Sequence, residues 1–180
     1  MTNIYRCNIC GEAYVGELKP SHCPFCGAHV RWLIDAEEYV EPEVPTLTEI
    51  SRKNLKFTYN LELKAAKIYH CIRKKTKDEF ILGMFKAISK VELEHAELVG
   101  KLIDRDPGCK TPFMGNLCTE DRKKSLDKTQ ILETNAINFY KQFLNEATEP
   151  RVKDIFQALV EIEQDHLDLI NLNLSIKTNS

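Results

Sequence analysis

An all-α fold, four long helices behind a short cysteine-bearing segment, is predicted by three features of the 180-residue sequence. From Thr46 to about Ile176, apolar residues recur at helical spacing. Two stretches 71 residues apart repeat one pattern. Glu62-x-x-Ala65-x-x-x-Tyr69 returns as Glu133-x-x-Ala136-x-x-x-Tyr140, and Glu92-x-x-His95 returns as Glu163-x-x-His166. Ahead of both lie two Cys-x-x-Cys pairs, Cys7 with Cys10 and Cys23 with Cys26, each pair followed by glycine.

The cysteine segment comes first, over residues 1–39. Twelve residues separate its two pairs, a spacing that brings four thiolates around one tetrahedral ion. Each glycine permits the tight turn such a knuckle needs. Tyr5, Tyr14, Phe25 and Trp32 are the candidate mini-core, and a segment this short needs its metal to fold. Zinc would make the knuckle structural, whereas iron would make it a one-electron carrier. Residues 40–46, with Pro42 and Pro45 among alternating acids, read as an extended linker.

The remainder, 47–180, reads as the helical domain. Thr46-Leu47-Thr48-Glu49 resembles a capping box opening the first helix. Helices are expected near 47–75, 78–104, 120–147 and 150–175, with Pro150 at a first helical position. On each of them the acidic and imidazole residues fall inside the apolar stripe. Ile81, Met84, Ile88, Val91, His95, Leu98 and Leu102 mark one row of the second helix, and Glu92 lies in the neighbouring row. A buried unpaired carboxylate costs several kcal/mol, so four in one core point to cations. Two divalent ions would neutralise Glu62, Glu92, Glu133 and Glu163, with His95 and His166 as neutral ligands. Glu62 and Glu92 are equidistant from Lys77, and Glu133 and Glu163 from Thr148. Antiparallel hairpins about those turns place each pair at one height, about 22 Å along the helices. The fourteen residues 105–118 can reach about 46 Å, enough to cross the bundle lengthwise and set the third helix parallel to the second.

Overall charge is nearly balanced, 25 basic against 27 acidic residues, which gives no general attraction to nucleic acid or membrane. Residues 1–45 carry net −4 and the rest +2, so either charge favours docking of the knuckle on the bundle or both are unremarkable solvated surfaces. No apolar run is long enough to span a bilayer. The N-terminus lacks the apolar core of a signal peptide, so the expected location is cytoplasmic. Disulfides are rare there, and the cysteines outside the knuckle read as free. Cys71 reads as a small buried apolar residue. Cys109 and Cys118 read as free thiols, with a redox-active pair or a metal clip as alternatives. Glu94 and Asp165 adjoin the two histidines in sequence but point off their face, toward solvent.

Tyr-x-Cys-x-x-Cys-Gly followed by Cys-Pro-x-Cys-Gly resembles rubredoxin, over roughly residues 4–38. The Glu…Glu-x-x-His…Glu…Glu-x-x-His set is similar to ferritin-like di-iron carboxylate proteins. Joined in this order, the two resemble the rubrerythrin family in its reverse arrangement, with the knuckle leading. That resemblance implies a ferritin-like bundle with a long crossover between its second and third helices. It implies Glu62 and Glu133 as terminal ligands, Glu92 and Glu163 as bridges, and His95 and His166 as one cap per metal. Tyr69 and Tyr140 match tyrosines that support such ligands, with plain core packing as the other reading. The implied activity is reduction of hydrogen peroxide or dioxygen at a di-iron site in a homodimer. Electrons would come from an external donor protein through Fe(Cys)4. The third helix departs from the family pattern, because Ala136 stands where an additional glutamate is expected. That departure bears on peroxide cycling and leaves dioxygen reduction and ferrous oxidation open. The alternatives are an iron-handling protein with a zinc-filled knuckle, and a di-metal oxygenase with an organic-substrate pocket.

Overall fold

The computed structural model describes residues 2–105 and 118–175. Four helices carry most of them: α1 (Glu49–Lys75), α2 (Glu79–Leu102), α3 (Arg122–Glu146) and α4 (Pro150–Ser175). Each lies within two residues of its expected span at both ends. Asp78 and Asp121 cap α2 and α3 by accepting from Ile81 N and Lys124 N. The start of α1 differs from expectation. Thr48, not Thr46, is the cap, accepting from Ser51 N. The amide of Thr48 donates to the Glu149 carboxylate at 2.6 Å, and Ser51 Oγ donates to it at 2.7 Å. A carboxylate 101 residues away therefore completes the cap, so tertiary structure replaces the local box.

Side-chain bonds fix the helix directions. Tyr69 reaches Glu133 and Tyr140 reaches Glu62, so α1 and α3 are antiparallel. Asn54 to Glu146 and Lys75 to the Cys118 carbonyl extend the same register. With α1 and α2 forming a hairpin, α2 and α3 are parallel. The end of α2 and the start of α3 therefore lie at opposite ends of the bundle, as a lengthwise crossover requires. Residues 106–117, where that crossover and Cys109 fall, lie outside the described residues. The fold is a ferritin-like four-helix bundle preceded by a small sheet.

That sheet consists of β1 (Asn3–Cys7), β2 (Ala13–Gly16) and β3 (Leu33–Asp35), antiparallel in the order β2-β1-β3. Its interior differs from the expected aromatic mini-core. Tyr5 is buried, but Phe25 is exposed and Tyr14 and Trp32 are only half-buried. Cys7, Ile9, Cys10, Cys23, Cys26, Ala28 and Leu33 instead join one buried cluster with Phe156, Leu159 and Ile162. The knuckle thus borrows its core from the bundle, which is how so short a segment buries enough apolar surface.

Docking is specific rather than a matter of net charge. Arg151 donates to the Asn8 and Ile9 carbonyls, Arg31 pairs with Glu161, and His29 meets Asp165 at 2.8 Å. At this seam basic residues of the acidic segment meet acids of α4, the reverse of the expected attraction. Among the described residues, no helix is long and apolar enough to cross a membrane.

Candidate metal centre

Glu92 and His95 stand three residues apart on α2, and Glu163 and His166 on α4, so each pair projects from one helical face. The two helices run antiparallel, which sets His95 beside Glu163 and His166 beside Glu92. Glu62 from α1 and Glu133 from α3 close the ring. All six residues are buried, the five other than His166 at 2 % exposure or less. The structure brings together every bundle residue that the repeat singled out.

Their atoms fall into two matching half-sites. His95 Nδ1 lies 3.6 Å from Glu62 Oε2, 3.2 Å from Glu92 Oε2 and 3.5 Å from Glu163 Oε1. His166 Nδ1 lies 3.2 Å from Glu92 Oε1, 3.9 Å from Glu133 Oε1 and 3.0 Å from Glu163 Oε2. Two ligands at about 2.0–2.2 Å from one tetrahedral ion stand about 3.4 Å apart, and the distances bracket that value. Glu92 and Glu163 each turn one oxygen toward His95 and the other toward His166. Glu62 serves only the first half-site and Glu133 only the second.

Hydrogen bonding shows that the protein alone does not complete this cluster. Both Glu92 oxygens, Glu163 Oε1 and His95 Nδ1 are buried without a hydrogen-bond partner. Such groups carry the full cost of desolvation unless something binds them. Burial, then repulsion from Glu92 and Glu163, holds the Glu62 carboxyl well above the usual range. Burial, then Glu163 and Glu92, does the same to Glu133. Burial opposes ionisation of Glu92 as well, but His166 and His95 outweigh it and pull this carboxyl down. Burial alone would lower both imidazoles, yet the surrounding carboxylates drive them well above the ordinary histidine value. Burial and mutual repulsion thus leave the carboxylates in need of positive charge. Two divalent cations would supply that charge and engage the orphaned atoms, so the donor set fits a di-metal site.

Two tyrosines hold the outer carboxylates in crossed fashion. Tyr69 Oη on α1 donates to Glu133 Oε1 on α3 at 2.6 Å, and Tyr140 Oη on α3 donates to Glu62 Oε1 on α1. Both rings are fully buried. Burial and then the adjacent carboxylates push both phenols well above their ordinary value, so they act as donors. These contacts go beyond core packing.

The four cysteines form a second cluster. Cys7 and Cys26 Sγ are 3.8 Å apart, as are Cys10 and Cys23 Sγ. Four sulfurs at about 2.3 Å from one tetrahedral ion stand about 3.8 Å apart. Gly11 and Gly27, with φ of 84° and 78°, turn the chain after each pair and donate to the Cys7 and Cys23 carbonyls.

One hydrogen bond joins the clusters. His95 Nε2 donates to the Cys26 carbonyl oxygen at 2.9 Å. That bond occupies Nε2 and leaves Nδ1 as the nitrogen that faces the carboxylates and would take an ion. Nothing in the sequence signals a link between residues 26 and 95, because it depends on where the knuckle docks.

A model of the rubrerythrin family matches residues 53–174, about two thirds of the chain. The chain belongs to the rubrerythrin family. The match spans all six Glu and His residues of the bundle cluster. Rubrerythrins are non-haem di-iron proteins, generally oxidoreductases, and both clusters here could hold metal. The cysteine cluster precedes the rubrerythrin match, in keeping with the reverse order of domains. No curated protein and no solved structure matches the chain.

One expectation is corrected near this site and another is extended. Cys71 and Cys118, expected as free thiols, form a disulfide with Cα atoms 5.9 Å apart. The antiparallel packing of α1 on α3 sets Cys118 beside the last turns of α1, a proximity that a spacing of 47 residues does not reveal. Asp165 is exposed as expected, yet it contacts His22 and His29 of the knuckle rather than solvent alone. A small cavity meets the carboxylates between Ala65 and Ala136, lined also by Glu62, Glu133, Tyr140 and Glu163. Its volume of about 10 Å³ admits roughly one water-sized molecule.

Proposed function

We propose that this rubrerythrin reduces hydrogen peroxide or dioxygen at a di-iron site and is re-reduced through an iron held by its own knuckle. The observation that carries this reading is the His95–Cys26 hydrogen bond, which joins the two clusters through one imidazole and one peptide group. A purely structural zinc knuckle would have no use for so direct a link. The contact is made within one chain, so no partner subunit is needed to bring the clusters together.

Glu62, His95, Glu92 and Glu163 are assigned to one iron, and Glu133, His166, Glu92 and Glu163 to the other. Bound there, two ferrous ions would supply the two electrons that, with two protons, reduce one hydrogen peroxide to two waters. The chain's own work is positional. Glu92 and Glu163 hold the two half-sites at fixed separation, and their flexible oxygen ligation suits either charge state. Tyr69 and Tyr140 keep Glu133 and Glu62 from rotating away. The apolar shell of α1 to α4 excludes bulk water. Cys7, Cys10, Cys23 and Cys26 are assigned to the one-electron iron, fed by an external donor protein. The small cavity favours a diatomic or peroxide substrate over an organic one. Ala136, in the place of the family's additional glutamate, helps form that opening.

Anaerobic stopped-flow mixing of the fully reduced protein with hydrogen peroxide tests the proposal. Rapid appearance of the di-ferric chromophore, followed by oxidation of the Fe(Cys)4 chromophore, is expected. A di-iron site untouched by both peroxide and dioxygen, or a knuckle filled with zinc in protein grown with ample iron, overturns it.

A further inference from the structure

A third cluster lies at the seam between knuckle and bundle, apart from both sites above. His22 and His29 face each other across an isolated antiparallel bridge. The flanking bonds, Cys23 N to Ala28 O at 2.7 Å and Val30 N to Ser21 O at 2.8 Å, lock that register. Directly opposed residues of such a bridge send their side chains to the same face. The two rings meet edge to face with centroids 4.8 Å apart. Both then converge on one atom of α4: His22 Nε2 lies 3.3 Å and His29 Nε2 2.8 Å from Asp165 Oδ2.

We propose that His22, His29 and Asp165 form a third metal site, taking a divalent first-row transition cation, zinc or ferrous iron. The ligand geometry and the surroundings of the two imidazoles support it. The 3.3 Å of His22 matches the separation of about 3.4 Å between ligands that share one ion at about 2.0–2.1 Å, and the 2.8 Å of His29, a hydrogen bond to the same oxygen, would lengthen by about 0.6 Å to admit the ion. One imidazole has its remaining nitrogen at hydrogen-bond distance from an oxygen, His22 Nδ1 with Ser21 Oγ at 3.0 Å, while His29 Nδ1 faces Glu161 Oε2 at 3.9 Å, beyond that distance. Metal-bound histidines carry that kind of outer partner, which fixes the tautomer and leaves the other lone pair for the ion. Glu161 Oε2 is buried without a hydrogen-bond partner, although Arg31 and Gln157 engage the other oxygen of that carboxylate. The three ligand side chains are partly exposed, so an ion can enter and keep water in its open positions. Imidazole and carboxylate together suit zinc and ferrous iron rather than calcium or magnesium.

Such an ion would bind the knuckle and α4 at once. It would therefore stabilise the docked arrangement on which the His95–Cys26 contact depends. The site itself does not rest on the proposed activity, because it requires only that the knuckle be docked.

The test uses the full chain with iron retained at its resident sites. Zinc sulfate is titrated anaerobically against a chromophoric chelator, and iron content is measured before and after. One further equivalent of zinc is expected, with a melting temperature that rises on addition. In His22→Ala and in His29→Ala that equivalent should weaken at least tenfold and the thermal shift should vanish. Asp165→Asn should weaken it less, and His70→Ala, on α1 and outside the cluster, should leave it intact. Zinc-edge anomalous scattering should place a peak among the three side chains, and an iron-edge peak there in protein as isolated would identify ferrous iron as the occupant. No further equivalent in the wild type, an equivalent retained in both histidine variants, or zinc that merely displaces resident iron overturns the proposal.

Discussion

Replacing Tyr140 by phenylalanine should weaken one of the two bundle metals and largely spare the other. The phenol donates to Glu62 Oε1, while Glu62 Oε2 faces His95 in the first half-site. Both groups are essentially without solvent, at 0 % and 2 % exposure, so no water replaces the lost donor. A hydrogen bond to a charged group is worth about 1.5–3 kcal/mol, which is a factor of roughly 10–150 in affinity. Removing outer partners of metal ligands typically costs about 10–100-fold, an independent figure in the same range. Tyr69→Phe should act equally on the other ion, because Tyr69 donates to Glu133 beside His166. Anaerobic cobalt titration, followed by visible absorption, gives the measurement. Wild-type bundle sites should take two tight equivalents, each single variant one tight and one weak, and the double variant two weak. Circular dichroism would control for folding. If both single variants keep two tight equivalents, the phenols are packing groups. If either variant weakens both ions equally, the half-sites are not separable and the crossed assignment is wrong.

Two further outcomes follow from the same geometry. Glu149, bonded to Thr48 N and Ser51 Oγ, has its carboxyl lowered to about 2; burial opposes this, but those donors outweigh it. A lowered folded-state value means stability that is fully present above the unfolded value near 4.5 and lost as pH falls toward 2. Glu149→Gln should therefore cost on the order of 2–3 kcal/mol at pH 7, with the deficit shrinking between about pH 4.5 and 2 in chemical denaturation. A deficit independent of pH would show that the charge is not what matters. At Gly27, φ is 78° and an added Cβ would stand 3.1 Å from Ile162 Cγ2. Gly27→Ala should cost about 1–2 kcal/mol for the left-handed backbone alone and lift the knuckle from α4. Transfer between the knuckle and the bundle should slow, while cobalt binding in the bundle stays unchanged. Wild-type transfer rates in that variant would break the proposed link through Cys26.

Much of the bundle site was legible because its chemistry is periodic. Glu92 with His95 and Glu163 with His166 are local pairs, fixed by helical spacing, and their place in an apolar stripe shows burial without coordinates. Equal distances from Lys77 and Thr148 likewise give the common height of the four carboxylates. The cysteine spacing names a tetrahedral site for the same reason, since two tight turns are local events. The crossed tyrosines were visible only as candidates, because choosing between packing and hydrogen bonding requires knowing which helix faces which.

Sequence by itself therefore determined the helices, the repeat and the ligand types, all of which follow from short-range geometry. Tertiary structure alone decided where separate segments meet. It closed the cap of α1 with Glu149, paired Cys71 with Cys118, left Phe25 outside the knuckle core and set His95 against Cys26. It also gathered His22, His29 and Asp165 at one seam. Each of these contacts joins residues far apart in the chain, and distance along the chain carries no information about proximity until the helices have packed and the knuckle has docked.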